Sequence, residues 1–159
     1  MTKAQGFGYS REQFQQLVED TLRIARNAGA SDAGVEVSEG AGLSVSVRKG
    51  ALENVERNRD KSIGVAIYLG QRRGNASTSD FSRSALEQTV RAAYDIARFT
   101  AEDPVAGLPD EADLAPPEAT QRDLDLCHPW AIDAQAAAAL ALRFGERPVE
   151  VTGGHRPAP

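Results

Sequence analysis

"VSVRKGALENVERNRDKSIGVAIY", residues 45–68, alternates like a β-sheet yet carries eight charged side chains between Arg48 and Lys61. Apolar residues return at every second position, at Val45 and Val47 and again at Ile63, Val65 and Ile67, the period of strands with one covered face. Working outward, the same period starts at Val35 and Val37, includes Leu43 and runs on to Leu69. Turn signals punctuate it at Glu39-Gly40-Ala41-Gly42, Arg48-Lys49-Gly50, Asn58-Arg59-Asp60-Lys61 and Gly70-Gln71. Each strand can therefore return beside its predecessor, which predicts an antiparallel meander of four to five strands. The last of them, "RRGNAST" at 72–78, offers almost no bulk. Leu52 and Val55 have opposite parity, which predicts a bulge or bend.

Both flanks of the meander change to a helical period. Ser10 with Gln13 has the form of a capping box, and Phe14, Leu17, Val18, Thr21, Leu22, Ala25 and Ala28 recur at helical spacing, predicting a helix over 11–28. A second helix is predicted over 83–99, with Leu86, Val90, Ala93 and Ala97 on one stripe. One helix, four to five antiparallel strands and a second helix make an α+β domain, residues 1–100, with both helices on one face of the sheet. The other face, where Ser44, Ser46 and Arg48 lie, is left open. Residues 101–130 hold five of the eight prolines and eight acidic residues against one arginine, the composition of an extended acidic arm. Its apolar beads, Val105, Leu108, Leu114, Leu124, Leu126 and Trp130, are regular enough to dock. An alanine-rich helix follows at 131–144, capped by Asp133, and then an irregular, disordered tail at 145–159.

With 159 residues and 41% apolar content the chain can bury one core. A net charge of −5 sets its average surface against nucleic acid and anionic lipid. No apolar run approaches the roughly 20 residues of a membrane helix, and "MTKAQGFGYS" lacks a signal-peptide core. The single cysteine, Cys127, allows no internal disulfide, and these features together predict a cytoplasmic chain.

The usual catalytic and metal-binding patterns are missing. His128 and His155 belong to no metal-binding pair, and Cys127 beside His128 would point the opposite way in an extended segment, so no dyad is expected. Ser77, Thr78, Ser79 and Asp80 precede a helix, where they are expected to accept backbone N–H groups. The glycines of Gly40-Ala41-Gly42 and Gly6-Phe7-Gly8 read as turns and not as phosphate loops. Charge is more informative: residues 43–73 carry seven basic groups against three acids, while the arm is strongly acidic. Arg48, Arg57 and Arg73 are expected to line a sheet edge that receives an acidic or extended polypeptide. Asn54 joins them, and the small Gly74, Ala76 and Thr78 would let a second backbone approach.

The stretch "LSVSVRKGALENVERNRDKSIGVAIYLGQRRGNASTSD" at 43–80, followed by a helix, "RFTAEDPVAGLPD" at 98–110 and "DLDLCHP" at 123–129, resembles the N-terminal part of the PmbA (TldE) branch of the TldD/PmbA family. The similarity runs from about residue 10 to residue 143 and rests on S-V-R-x-G-x-x-E-N-V-E, G-x-A-S-T-S-D, D-P-x-A-G-L and D-L-D-L-x-H-P in that order. It implies a bacterial cytosolic assembly in which a TldD-like subunit pairs with a PmbA-like one to cleave unfolded peptides. Zinc is implied only in the TldD-like partner, on an HExxxH helix that nothing here matches, so the resemblance carries over no catalytic or metal residue. The expected role is that of a non-catalytic module, inactive alone, for subunit pairing and a peptide path. A homodimer of the chain is a further expectation. The alternative is a nucleic-acid or gyrase-related module using the basic hairpins, although a negative chain without an aromatic platform speaks against direct nucleic-acid contact. Family members are roughly three times as long, so "GERPVEVTGGHRPAP" is expected to be the end of a truncated or frame-shifted product.

Overall fold

The computed structural model describes residues 8–120, 124–126, 128 and 130–145. Cys127, His155, Gly6-Phe7 and residues 146–159, on which several expectations fall, lie outside the described residues.

Helix α1 spans Arg11–Asn27. Its start is a complete capping box: the Gln13 N–H donates to the Ser10 hydroxyl at 3.2 Å, and Ser10 N–H donates to Gln13 Oε1 at 2.8 Å. Its end is a Schellman motif, with Gly29 at φ +90°, Gly29 N–H donating to Arg26 O and Ala30 N–H to Ala25 O. Helix α2 spans Arg83–Phe99 and is capped by Ser82, whose hydroxyl accepts from Ala85 N–H.

Between them lies a three-stranded antiparallel sheet in the order β1 (Asp32–Arg48), β2 (Ala51–Leu69), β3 (Arg72–Thr78). This corrects the expected count of four to five. Of the four turn signals only two are turns. Lys49 and Gly50 have φ values of +52° and +73°, positive at both central positions as a type I′ hairpin requires, and Gly70 has φ +59° as the first residue of the β2–β3 turn. At 39–42 and 58–61 the chain stays extended, so β1 and β2 run 17 and 19 residues. The reason is mutual fit. A Cβ on Gly40 would stand 2.6 Å from Asp60 Oδ1, and one on Gly42 2.4 Å from Asn58 Oδ1. These glycines therefore give room to polar side chains of the neighbouring strand, and they bend nothing. Leu52 and Val55 are both exposed, so their parity reports no buried face.

Contacts divide the chain into two units, one through Ala41 and from Arg59 to His128, the other made of Gly42–Asn58 and the chain after His128. In the first unit, β2 pairs β3 from Ile63↔Thr78 to Leu69↔Arg72. Ile63, Val65 and Ile67 turn to one face and are buried, and Val65 and Ile67 meet Ala25 of α1 and Val90, Ala93 and Ala97 of α2 in a closed core. Both helices thus cover one face, as the periodicity predicts. Two buried threonines, Thr21 and Thr89, donate to the carbonyls of Leu17 and Ala85 four residues back, which satisfies their hydroxyls inside the helix layer.

The second unit contains the Lys49-Gly50 turn, with Arg48 Nη1 3.4 Å from Glu53 Oε1. It also contains α4, Ala134–Gly145, whose first turn is met by Asp133: Ala136 N–H donates to Asp133 Oδ1 at 2.7 Å. The acidic segment carries a 3-10 turn at Glu111–Asp113 and a short α3 at Pro117–Thr120, where proline occupies the first helical position that it tolerates. Its apolar beads do not dock as expected. Val105, Leu114, Leu124, Leu126 and Trp130 are all exposed, Val105 to 88%. Leu108 comes near β1, with Cδ2 about 4.0 Å from where a Cβ on Gly34 would be, and Val105, though exposed, lies beside Tyr68 and Arg73. No described helix is long and apolar enough to cross a membrane.

Candidate functional site: the open face of the sheet

The face of the sheet opposite the helices forms an open concavity of about 570 Å³. Strand parity builds it. Ala66↔Asn75, Gly64↔Ser77 and Tyr68↔Arg73 are the cross-strand pairs that face away from the helices, and Gly34 and Glu36 of β1 join them. Gly34, Gly64 and Ala66 make a floor with almost no side-chain bulk, while Arg73, Asn75, Ser77 and Glu36 supply polar walls.

One end of this face is closed. Asp103 N–H donates to Gln71 O at 2.9 Å, which fastens the chain after α2 to the β2–β3 turn. From there residues 100–107 pass beside Tyr68 and Arg73, and Leu108 reaches Gly34 on β1. Tyr68 is only 6% exposed although it lies on the open side, because this segment and Arg73 cover it. The Arg73 guanidinium carbon is 5.8 Å from the Tyr68 ring centroid, and its Nε–H donates to Asn75 Oδ1 at 3.2 Å. Its neighbour Arg72 is committed elsewhere, to Glu102 at 3.2 Å and to the carbonyl of Arg98.

At the far end of β3 a second polar cluster organises the entry to α2. Asp80 N–H donates to Thr78 Oγ1 and Ser82 N–H to Asp80 Oδ1, so of the four residues expected to accept backbone N–H groups before the helix, Thr78 and Asp80 do so. The Ser82 backbone and hydroxyl, with Lys61 nearby, hold the Asp80 carboxyl below its ordinary value of 3.8. Glu12 is likewise held below 4.5, first by its own backbone N–H and then by Ser10. Lys61 packs between aromatic rings, its Nζ 5.1 Å from the Tyr9 centroid and 4.7 Å from that of Phe81, and donates to Tyr9 Oη at 3.0 Å.

The seven residues singled out from sequence do not form one group. Arg48, Asn54 and Arg57 belong to the hairpin end in the second unit, and all three are exposed. Arg73, Gly74, Ala76 and Thr78 lie on β3 in the first. Only Arg73 faces the concavity through its side chain. Gly74, Ala76 and Thr78 share the helix-side parity with Ile67, Val65 and Ile63. Gly74 does admit a second backbone, but that backbone is α2: a Cβ there would stand 2.1 Å from Ala93 O and 2.4 Å from Ala97 N. Tyr68, Asn75, Ser77 and Glu36 complete the site and were missed. Their signal was parity, since each lies two or an even number of residues from a residue already on the open face. Among the described residues no group of three His, Cys, Asp or Glu could hold a metal ion.

Residues 33–97, the sheet and most of α2, match the family description "PmbA/TldA metallopeptidase domain 1". The class is thus that of a first, sheet-bearing domain of such proteins. Over 132 residues, 83% of this chain, the sequence is 44% identical to "Metalloprotease PmbA homolog" of Haemophilus influenzae, and over 134 residues 43% identical to "Metalloprotease PmbA" of Escherichia coli O157:H7. The chain therefore belongs to the PmbA/TldD family, as a short segment of it, for it spans 28% and 29% of the length of those two relatives. Two solved structures share the fold. A protein described as a modulator of DNA gyrase from Bacteroides thetaiotaomicron superposes on 73% of this chain, and 28% of its own, with a TM-score of 0.59 at 19% identity. TldE from Thermococcus kodakarensis superposes on 67% of this chain, and 25% of its own, with a TM-score of 0.54 at 12% identity.

Proposed function

We propose that this chain is a non-catalytic N-terminal module of a PmbA-like subunit, working in a cytoplasmic TldD/PmbA-type metalloprotease assembly. It pairs with a TldD-like subunit, which carries the zinc, and contributes part of the path along which unfolded peptides travel. The observation that carries this reading is the family match over the sheet and α2, combined with a β3 whose outer edge has no strand partner among the described residues. An unpaired edge offers backbone N–H and C=O groups to an extended peptide with little regard for its side chains. Exposed Val105, Leu114, Leu124 and Leu126 supply apolar contacts for a partner subunit or, in its absence, for a second copy of the chain.

The basic-hairpin alternative gains nothing from the geometry. Arg48 pairs with Glu53, Arg72 with Glu102, Arg73 with Asn75 and the Tyr68 ring, and Lys61 is taken up by Tyr9 and Phe81, so most of the seven basic groups already have intramolecular partners. The test is to mix the full chain with a cognate TldD-like subunit and a fluorescent unfolded peptide. Association at micromolar concentration supports the reading. Failure of both components to bind overturns it.

A further inference from the structure

We propose that the open face captures the C-terminal carboxylate of an extended peptide, with Arg73 as the anchoring cation and residues 100–108 as the end stop. This rests on the peptide-path reading above and names the part of the peptide that is recognised.

Direction comes first. A peptide that adds antiparallel to β3 runs opposite to Arg72–Thr78, so its C-terminal end arrives at the Arg72–Arg73 end of the strand. The wall described above stands there: Asp103 is fastened to the Gln71 carbonyl, Val105, Ala106 and Gly107 pass beside Tyr68, and Leu108 closes toward Gly34. Residues 100–107 thus line the surface beside Tyr68 and Arg73 at that end, so the last residue of a peptide that reaches Arg73 meets them.

Charge comes second. Arg73 is oriented before any ligand arrives, by its Nε–H bond to Asn75 and by the face of Tyr68. Its two terminal nitrogens make no ion pair with a carboxylate among the described residues, whereas Arg72 beside it is already paired with Glu102. A fixed guanidinium fork with both outer nitrogens available is the group that receives a carboxylate bidentately. With Asn75 Oδ1 turned to Arg73, the Asn75 amide nitrogen is left to donate, and the Ser77 hydroxyl lies further along the same face. The floor of Gly34, Gly64 and Ala66 leaves space for the last side chain of the peptide.

The two acids nearby decide between sources of the carboxylate. Glu36 lines the same concavity and Asp103 lines the end wall, with Asp103 Oδ1 accepting from Val105 N–H. One terminal carboxylate can be matched by Arg73 in that field. A run of acidic side chains would meet Glu36 and Asp103 as well and be repelled.

The experiment uses the full chain and three labelled unstructured peptides of one sequence: a free C-terminal acid, the C-terminal amide, and the amide with an Asp two residues from the end. Fluorescence anisotropy should show the free acid binding about tenfold or more tighter than the amide, with the Asp-bearing amide close to the plain amide. Arg73→Gln should abolish the preference for the free acid over the amide, with circular dichroism showing that the variant remains folded. Equal binding of acid and amide, a preference that survives Arg73→Gln, or Asp-bearing amide binding as tight as free acid would each overturn the proposal while the peptide-path reading stands. Binding of none of the three would overturn both.

Discussion

At Gly74 a single hydrogen atom separates β3 from the backbone of α2. Both nearest atoms to a Cβ there, Ala93 O and Ala97 N, belong to the helix main chain and cannot swing aside. Gly74→Ala is therefore expected to cost at least about 2 kcal/mol, read as a lower urea midpoint at unchanged slope. Gly40→Ala and Gly42→Ala should cost less than about 1 kcal/mol each, because the atoms they meet are the ends of the exposed side chains of Asp60 and Asn58. Equal losses at all three positions would show that the glycines at 40 and 42 do more than make room. Asp80 gives a prediction with a sign. Its carboxyl titrates lower in the folded chain than its ordinary 3.8, so the charged form stabilises the fold. That contribution is fully present above the unfolded value and is lost as pH falls through the lowered one. Asp80→Asn should accordingly be less stable than the parent at neutral pH, and the gap should close on acidification below 3.8. A gap independent of pH would point to geometry alone.

For the elements, the decisive feature is that two turns carry positive φ and two apparent turns do not. A glycine punctuates a strand only where the backbone must enter the left-handed region; elsewhere it is merely a strand residue without a side chain. Gly50→Ala and Gly70→Ala should each lose about 1 kcal/mol or more by forcing an L-residue into that region, in the same urea titration. If Gly70→Ala proved neutral, the β2–β3 turn would have to be of another type. The capping box and the Schellman motif explain why α1 began and ended so close to the boundaries read from sequence. Both are local devices, complete within six residues, and so was the Ser82 cap of α2.

At the scale of the molecule, the described chain exposes Val105, Leu114, Leu124, Leu126 and Trp130 while spanning under a third of its relatives' length. Exposed apolar groups of that number are expected to drive association. Light scattering should show a mass that rises with concentration, and Leu124→Ser with Leu126→Ser should reduce it without shifting the unfolding midpoint. A monomer of constant mass up to high concentration would leave those side chains without a role in assembly.

What the sequence determined by itself was everything carried by short-range periodicity: both helices of the first unit with their caps, the presence of strands, the face that Ile63, Val65 and Ile67 would bury, and the family motifs. Those depend on interactions within about one turn or one residue pair, and the chain carries them wherever it is placed. The strand count, the partner of Gly74 and the concavity around Arg73 were decided only by tertiary structure. Gly40 needs Asp60 opposite it, Gly74 needs Ala93 and Ala97 above it, and Arg73 needs Tyr68 beneath it and residues 100–108 beside it. Each of these is a meeting of main chains or side chains distant in sequence, and no local pattern encodes which one will arrive.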